Sequence, residues 1–131
     1  MALSGSFYNY PVKSFGLYCE WSASQSVTGN YSNVTLKVYL SYWDLYVGAR
    51  DDGVINIAGN SSNFSTAAIS ESSSGWKKKL IAQKTVTVYH DGNGNANCYL
   101  GASWRFSGTY SGTSIGTITA EQTVSLDKLD R

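Results

Sequence analysis

Alternation of hydrophobic and polar residues with a period of two runs through much of the chain. It is most regular in residues 34–42, where the apolar residues occupy every second position: Val34, Leu36, Val38 and Leu40. Because successive side chains of a β-strand point to opposite faces, this pattern predicts a strand with one buried face. Residues 15–21 follow the same pattern, with Leu17, Cys19 and Trp21 on the predicted inner face.

Residues 85–104 show the alternation twice, on either side of a polar segment. The apolar residues on the predicted inner faces are Val86, Val88, Cys98, Leu100, Ala102 and Trp104. Between the two runs, residues 91–95 read DGNGN, and glycine and asparagine tolerate the positive φ angles of a tight turn. The sequence therefore predicts a β-hairpin here, with the other strands arranged around it.

Short strands separated by glycine- and asparagine-rich segments are predicted elsewhere, at residues 3–9, 53–58, 66–69 and 117–126. Polar connections are predicted at residues 22–33, 59–65 and 71–75, and residues 43–52 form either a loop or an edge strand. The charged tail, residues 127–131, is expected to fray or to lead to another module. No segment has a sustained helical period. The chain is predicted to be one all-β domain over residues 1–131, an antiparallel β-sandwich of the jelly-roll or immunoglobulin-like type.

Charge and hydropathy limit the kinds of partner that we expect for the chain. The chain has 10 Lys and Arg against 9 Asp and Glu, a net charge of +1, which predicts no nucleic-acid partner. No apolar run is long enough for a membrane span, so no membrane insertion is expected. Met1 is followed by no signal-peptide pattern, which favours synthesis in a cytosol unless a signal segment was removed.

Two cysteines, Cys19 and Cys98, lie on predicted inner faces. They are either buried free thiols or the two ends of an inter-sheet disulfide. Cytosolic synthesis favours the thiols.

Candidate catalytic and metal-binding residues are sparse. His90, the one histidine of the sequence, precedes Asp91, and no nucleophile is placed near it, so we expect it to cap the turn rather than to act as a base. Asp91, Asn93 and Asn95 have the first spacings of a calcium loop, but alanine stands at the sixth and twelfth positions. We therefore expect that the protein is not an enzyme, has no catalytic residue and binds no metal or cofactor.

Aromatic residues give the strongest indication of binding. Trp21 and Trp104 are predicted to lie in the core. Other aromatic residues lie in or beside loops with polar neighbours, a combination that suits recognition of sugars or proteins. The candidate glycan or partner contacts are Trp43, Asp44, Tyr46, Trp76 and Tyr110. The alternative is that these rings cover the ends of the sandwich. Residues 77–79, KKK, are interpreted as a solvated strand edge.

Six segments in order resemble one family, the β-sandwich module of tail-associated minor structural proteins of phages and prophages of Gram-positive bacteria. They are residues 3–7 (LSGSF), 17–27 (LYCEWSASQSV), 30–40 (NYSNVTLKVYL), 86–94 (VTVYHDGNG), 106–116 (FSGTYSGTSIG) and 123–129 (TVSLDKL).

The resemblance implies a non-enzymatic virion structural protein of a tail tip, fibre or baseplate, made in the host cytoplasm and located in the virion. It implies a role in host-surface attachment. The partners would be other tail proteins, further copies of this chain as in a trimer, and cell-wall glycan. The alternative is a carbohydrate-binding module detached from a secreted enzyme, and an enzyme of unknown type is the third hypothesis.

Overall fold

The computed structural model describes residues 3–71, 75–110 and 112–130. Ten strands are present in these residues, and no helix is: β1 (Ser4–Val12), β2 (Phe15–Ser26), β3 (Tyr31–Tyr42), β4 (Leu45–Val47), β5 (Arg50–Ile57), β6 (Asn60–Thr66), β7 (Ile69–Glu71), β8 (Lys77–Tyr89), β9 (Asn97–Tyr110) and β10 (Thr113–Ser125). All strand pairs are antiparallel. The predicted all-β antiparallel sandwich is confirmed.

Two four-stranded sheets form the sandwich. Sheet 1 has the order β1-β2-β3-β8, and sheet 2 has the order β10-β9-β5-β6. Strands β4 and β7 form a separate two-stranded sheet. Of the predicted polar connection at residues 71–75, Glu71 ends β7, and residues 72–74 lie outside the described residues.

The polar connection predicted at residues 22–33 is confirmed only for the turn at residues 27–30, and the rest of it is wrong because it is strand. Strand β2 continues to Ser26 and β3 begins at Tyr31, so the two strands pair as far as Ser26 with Tyr31. The intervening turn contains Asn30 with a φ of 56°, in the left-handed region that asparagine tolerates. Cross-strand pairing here overrides the weak strand propensity of serine, glutamine and asparagine. Residues 60–65, most of the connection predicted at residues 59–65, belong to β6 for the same reason.

The hairpin predicted over residues 85–104 is also wrong. Strand β8 pairs with β3 in sheet 1, whereas β9 pairs with β5 and β10 in sheet 2. The polar segment at residues 90–96 therefore crosses from one sheet to the other. Alternation gives the same signal for two strands on opposite walls of a core as for two hydrogen-bonded neighbours. Strand β9 forms its hairpin with β10 instead, through the pair Tyr110 and Thr113.

The inner faces of both sheets build one core, and the faces predicted from alternation are confirmed. Trp104 is fully buried, with ring centroids of Phe15 and Phe106 at 6.1 and 5.8 Å. Its indole Nε1 donates a hydrogen bond to Thr66 Oγ1 at 3.1 Å. Cys19 and Cys98 are buried free thiols, the first of the two alternatives, and form no disulfide with each other.

The charged tail does not fray over the part that the structure describes. Leu126 and Leu129 are buried, and their backbone N–H groups donate to Ala96 O and Gly94 O at 3.0 and 2.9 Å. Gln25 Nε2 donates to Asp127 O at 2.7 Å. Leu126, just before the tail, and Leu129, within it, attach this part of the chain to one end of the sandwich.

Candidate functional site

An open cleft of about 510 Å³ lies at one end of the sandwich, which we call the end cleft. It forms where the β1–β2 turn, the end of β3, the start of β8 and the end of β9 meet. Its lining residues are Lys13, Ser14, Trp43, Asp44, Trp76 and Tyr110. Four of the five residues predicted from the sequence thus come together, although they are distant along the chain.

Backbone and aromatic contacts fix the wall of the end cleft. Trp43 N donates to Ser14 O at 3.1 Å, which joins the end of β3 to the β1–β2 turn. The Tyr110 ring stacks on Phe15 at 5.0 Å with an interplanar angle of 22°. Its hydroxyl donates to Asp44 O at 2.7 Å and lies 3.3 Å from Ser14 O. Tyr110 therefore supports the wall, because both its ring and its hydroxyl contact the protein.

A continuous series of rings leads out of the end cleft. Consecutive centroids are 6.2 Å apart from Trp43 to Trp76, 5.8 Å to Tyr10, 5.5 Å to Tyr8 and 6.4 Å to Tyr18. We call these five residues the aromatic band. Trp43, Trp76 and Tyr8 expose 38%, 51% and 65% of their surface, so three of the five rings are accessible, while Tyr10 and Tyr18 are half-buried. Exposed apolar surface of this extent is typical of interaction sites.

Strand register and one glycine place the band on the outer face of sheet 1. Tyr8 pairs with Tyr18 across β1 and β2, so their rings lie side by side on that face. Tyr10, two residues further, lies beside Gly16. A Cβ atom at Gly16 would come within 2.7 Å of Tyr10 Cδ2 and 2.5 Å of Asn9 O. The absence of a side chain at Gly16 is what lets Tyr10 occupy its place between Tyr8 and Trp76.

Gly16→Ala is therefore expected to lower the free energy of unfolding by about 2 kcal/mol, because its added methyl group meets backbone atoms that cannot move independently. Urea denaturation measures this loss. Gly92→Ala is the matched control, since no atom lies within 4 Å of a Cβ placed there. Equal stability of the two variants would contradict the close approach of β1 and β2 at Gly16.

Lys78 extends the surface beyond Tyr18. Its ammonium nitrogen lies 4.6 Å from the Tyr18 ring centroid, 5.3 Å from that of Tyr39 and 3.0 Å from Glu20 Oε1. The hydrogen bond to Glu20 raises the pKa of Lys78, and the Glu20 charge adds to this effect. Residues 77–79 are exposed, as the interpretation of a solvated edge requires, but Lys78 is also held in one position over two rings.

Tyr46 is the predicted site residue that the structure separates from the others. It is 62% exposed on β4, between the buried Leu45 and Val47, and it does not line the end cleft. Conversely, the sequence did not single out Lys13, Ser14 or Tyr18. Lys13 and Ser14 reach the cleft because they form the β1–β2 turn, and only the pairing of Val12 with Phe15 reveals that turn.

His90 lies at the opposite end of the sandwich, where it caps the crossing segment as predicted. Its ring is 6% exposed, and Nδ1 lies 2.7 Å from Gly94 O. A carbonyl oxygen can only accept, so Nδ1 carries the proton, and in the neutral ring Nε2 accepts from Ser32 Oγ at 2.7 Å. The backbone N–H groups of Asn95 and Asn93 donate hydrogen bonds to Asp91 Oδ1. These bonds stabilise the carboxylate and hold its pKa below the usual value.

Among residues 3–71, 75–110 and 112–130, no group of three or more His, Cys, Asp or Glu side chains is placed to hold a metal ion. Within the same residues, no helix has the length and apolar character that a membrane crossing requires.

Comparison with known proteins gives no relatives. No protein-family model matches the chain, and neither the curated proteins nor the solved structures include a match. The resemblance to phage tail modules therefore depends on the six sequence segments alone.

Proposed function

We propose that the chain is a non-enzymatic structural module of a phage virion, in a tail tip, fibre or baseplate, that attaches to cell-wall glycan of the host through the end cleft and the aromatic band. The aromatic band is the observation that carries the binding role. The six sequence segments support the virion setting.

Glycan suits this surface for a physical reason. A sugar ring has an apolar C–H face that packs against an aromatic ring, while its hydroxyl groups need polar partners. The band offers five rings in succession, which matches a chain of several sugars better than a single small molecule. Polar groups converge where the band meets the end cleft, and they include Lys13, Ser14 and Asp44.

Tyr8→Ala is expected to weaken binding to purified Gram-positive cell-wall polysaccharide by about tenfold, the equivalent of about 1.4 kcal/mol, because it removes the most exposed ring of the band. Trp76→Ala, in the middle of the band, should have at least the same effect. Isothermal titration calorimetry or co-sedimentation with cell walls measures the loss. Tyr89→Ala is the matched control, since Tyr89 is 72% exposed and lies outside the band. Equal binding by the Tyr8 and Tyr89 variants would exclude the band as the glycan site.

The virion setting has its own test. Mass spectrometry of purified phage particles, or of particles induced from a prophage, should detect the chain as a stoichiometric component. Detection only as the neighbour of a catalytic domain in a secreted protein would favour the carbohydrate-binding module instead. That module would use the same aromatic band, so glycan binding does not separate the two settings.

A further inference from the structure

A second groove, of about 340 Å³, lies on the other side of the edge strand β1 from the end cleft's turn, between β1 at the edge of sheet 1 and β10 at the edge of sheet 2, and shares no residue with the aromatic band. We call it the edge groove. Residues 4–6 form one wall, residues 122–125 form the other, and Trp21 contributes to the lining. Neither wall has another strand paired to its outer side in the part of the chain that the structure describes.

Backbone groups of both walls face into the edge groove. Ala23 N donates to Leu3 O at 2.8 Å, and hydrogen-bonded pairs alternate in an antiparallel ladder, so Ser4 and Ser6 direct their backbone groups away from β2. On β10, Leu126 N donates to Ala96 O at 3.0 Å, and the same alternation directs Thr123 and Ser125 away from β9.

The middle of β10, at Thr119, gives independent support for this register. Thr119 lies four residues before Thr123 on β10, so the backbone groups of both residues point to the same side of the strand. The carbonyl oxygen of Thr119 accepts a hydrogen bond from Asn9 Nδ2 at 2.8 Å. Its carbonyl therefore points out of sheet 2 towards β1. At that point one side chain joins the two strand edges, whereas the edge groove opens further along both strands.

Trp21 provides an unpartnered donor in the edge groove. The residue is only 5% exposed, but its indole Nε1, which has no acceptor among the described residues, is not enclosed and is therefore accessible from the groove. Gly5 pairs with Trp21, and a Cβ atom at Gly5 would lie 2.8 Å from Nε1. The indole N–H therefore lies across the bare backbone of Gly5, on the side of β1 that borders the groove.

This side of the sandwich lacks the charges that usually protect strand edges. Strand β8, at the other edge of sheet 1, carries four lysines: Lys77, Lys78, Lys79 and Lys84. In contrast, residues 4–9 of β1 carry no charge and residues 117–125 of β10 carry one, Glu121. Lysine on an edge discourages pairing with another strand, so the two edges are differently suited to association.

We propose that the edge groove binds an extended, uncharged segment of another polypeptide chain by β-strand addition. The segment pairs with the outward backbone groups of Ser4 and Ser6 or of Thr123 and Ser125, and one of its carbonyls accepts from Trp21 Nε1. Arrays of alternating N–H and C=O groups match a peptide backbone rather than a sugar. Small side chains and the absence of charge on the walls select small, uncharged side chains in the segment. This inference does not depend on glycan binding.

The test uses ¹⁵N-labelled protein and the capped peptide acetyl-Ser-Val-Thr-Val-Ser-amide at millimolar concentrations. We expect the Trp21 indole signal and the amide signals of Ser4, Ser6, Thr123 and Ser125 to shift, while the indole signals of Trp43 and Trp76 stay in place. Because a strand-addition site recognises backbone first, this generic sequence is sufficient for weak binding. Unchanged signals at the edge groove would overturn the proposal.

Three variants sharpen the assignment. Ser6→Pro and Thr123→Pro each remove one outward N–H group and leave the inward pairing intact, as proline allows on an edge strand. Trp21→Phe removes the indole donor and keeps an aromatic ring in the core. The proline variant on the strand that pairs with the peptide, and Trp21→Phe, should each bind the peptide about tenfold more weakly. Wild-type shifts in both proline variants would overturn the proposal, and the Trp21→Phe measurement decides the matter if a proline variant does not fold.

Discussion

Trp104→Ala is expected to lower the free energy of unfolding by about 4 kcal/mol, the largest loss we expect from a single substitution. The side chain is fully buried between the sheets against Phe15 and Phe106. Alanine would remove these contacts, leave a cavity and deprive Thr66 Oγ1 of its donor. Urea denaturation followed by far-UV circular dichroism measures the change.

The neighbouring Arg105 provides the control for Trp104. It lies on the opposite face of β9, and its ion pair with Asp52, at 3.7 Å, joins side chains that are 58% and 59% exposed. Such a pair contributes little, so Arg105→Ala should change stability by less than about 0.5 kcal/mol. A Trp104→Ala loss as small as that of Arg105→Ala would mean that the two sheets do not pack around this ring.

Alkaline pH is expected to produce the second large effect. Burial raises the pKa of the Cys19 thiol to about 12 and that of Cys98 to about 11. Above the ordinary thiol pKa of about 8.5, the unfolded chain releases these protons while the native protein keeps them. Stability should therefore fall as pH rises from there towards pH 11, by about 1.4 kcal/mol per pH unit for each thiol. Urea denaturation at a series of pH values measures the slope.

The double variant Cys19→Ala/Cys98→Ala isolates the thiols from other groups. Its pH dependence should be flatter by the contribution of two thiols, although its stability at neutral pH is lower because of the lost packing. Tyr42, whose pKa is raised to about 12 by burial and by its hydrogen bond to Glu71, still titrates in both proteins. Identical slopes for the double variant and the wild type would show that the thiols are not buried in the native state.

Much of the fold is predictable from the sequence, because every second residue of a strand in a β-sandwich faces the core and is usually apolar. Strands β2, β3 and β9 illustrate this, since their alternate apolar residues are buried, except for the half-buried Ala23 and Tyr110 near the strand ends. Which strands pair with each other is not predictable from this alternation. Strands β8 and β9 have matching alternation and a turn-like connection, yet they belong to different sheets. Only the contacts of β8 with β3 resolve that ambiguity, and they are remote in sequence.

The candidate site was predictable in part for a related reason. Trp43, Asp44, Trp76 and Tyr110 lie beside strand ends, and strand ends meet at the ends of a sandwich. Tyr46 has the same aromatic character, but β4 directs it elsewhere. The link from Trp76 through Tyr10 to Tyr18 depends on register and on the missing side chain at Gly16, which a list of aromatic residues does not contain.

The separation of β3 from its partner β8 along the chain has a consequence for how the chain folds. Strand β8 completes sheet 1 by pairing Tyr31 with Tyr89 and Tyr42 with Lys77, after the chain has visited the other sheet through β5 and β6. Such non-local pairing closes long loops, and proteins dominated by it fold in about milliseconds to seconds. During synthesis, β3 emerges well before β8, and we expect its twelve-residue edge to stay open to strands of other molecules until β8 arrives.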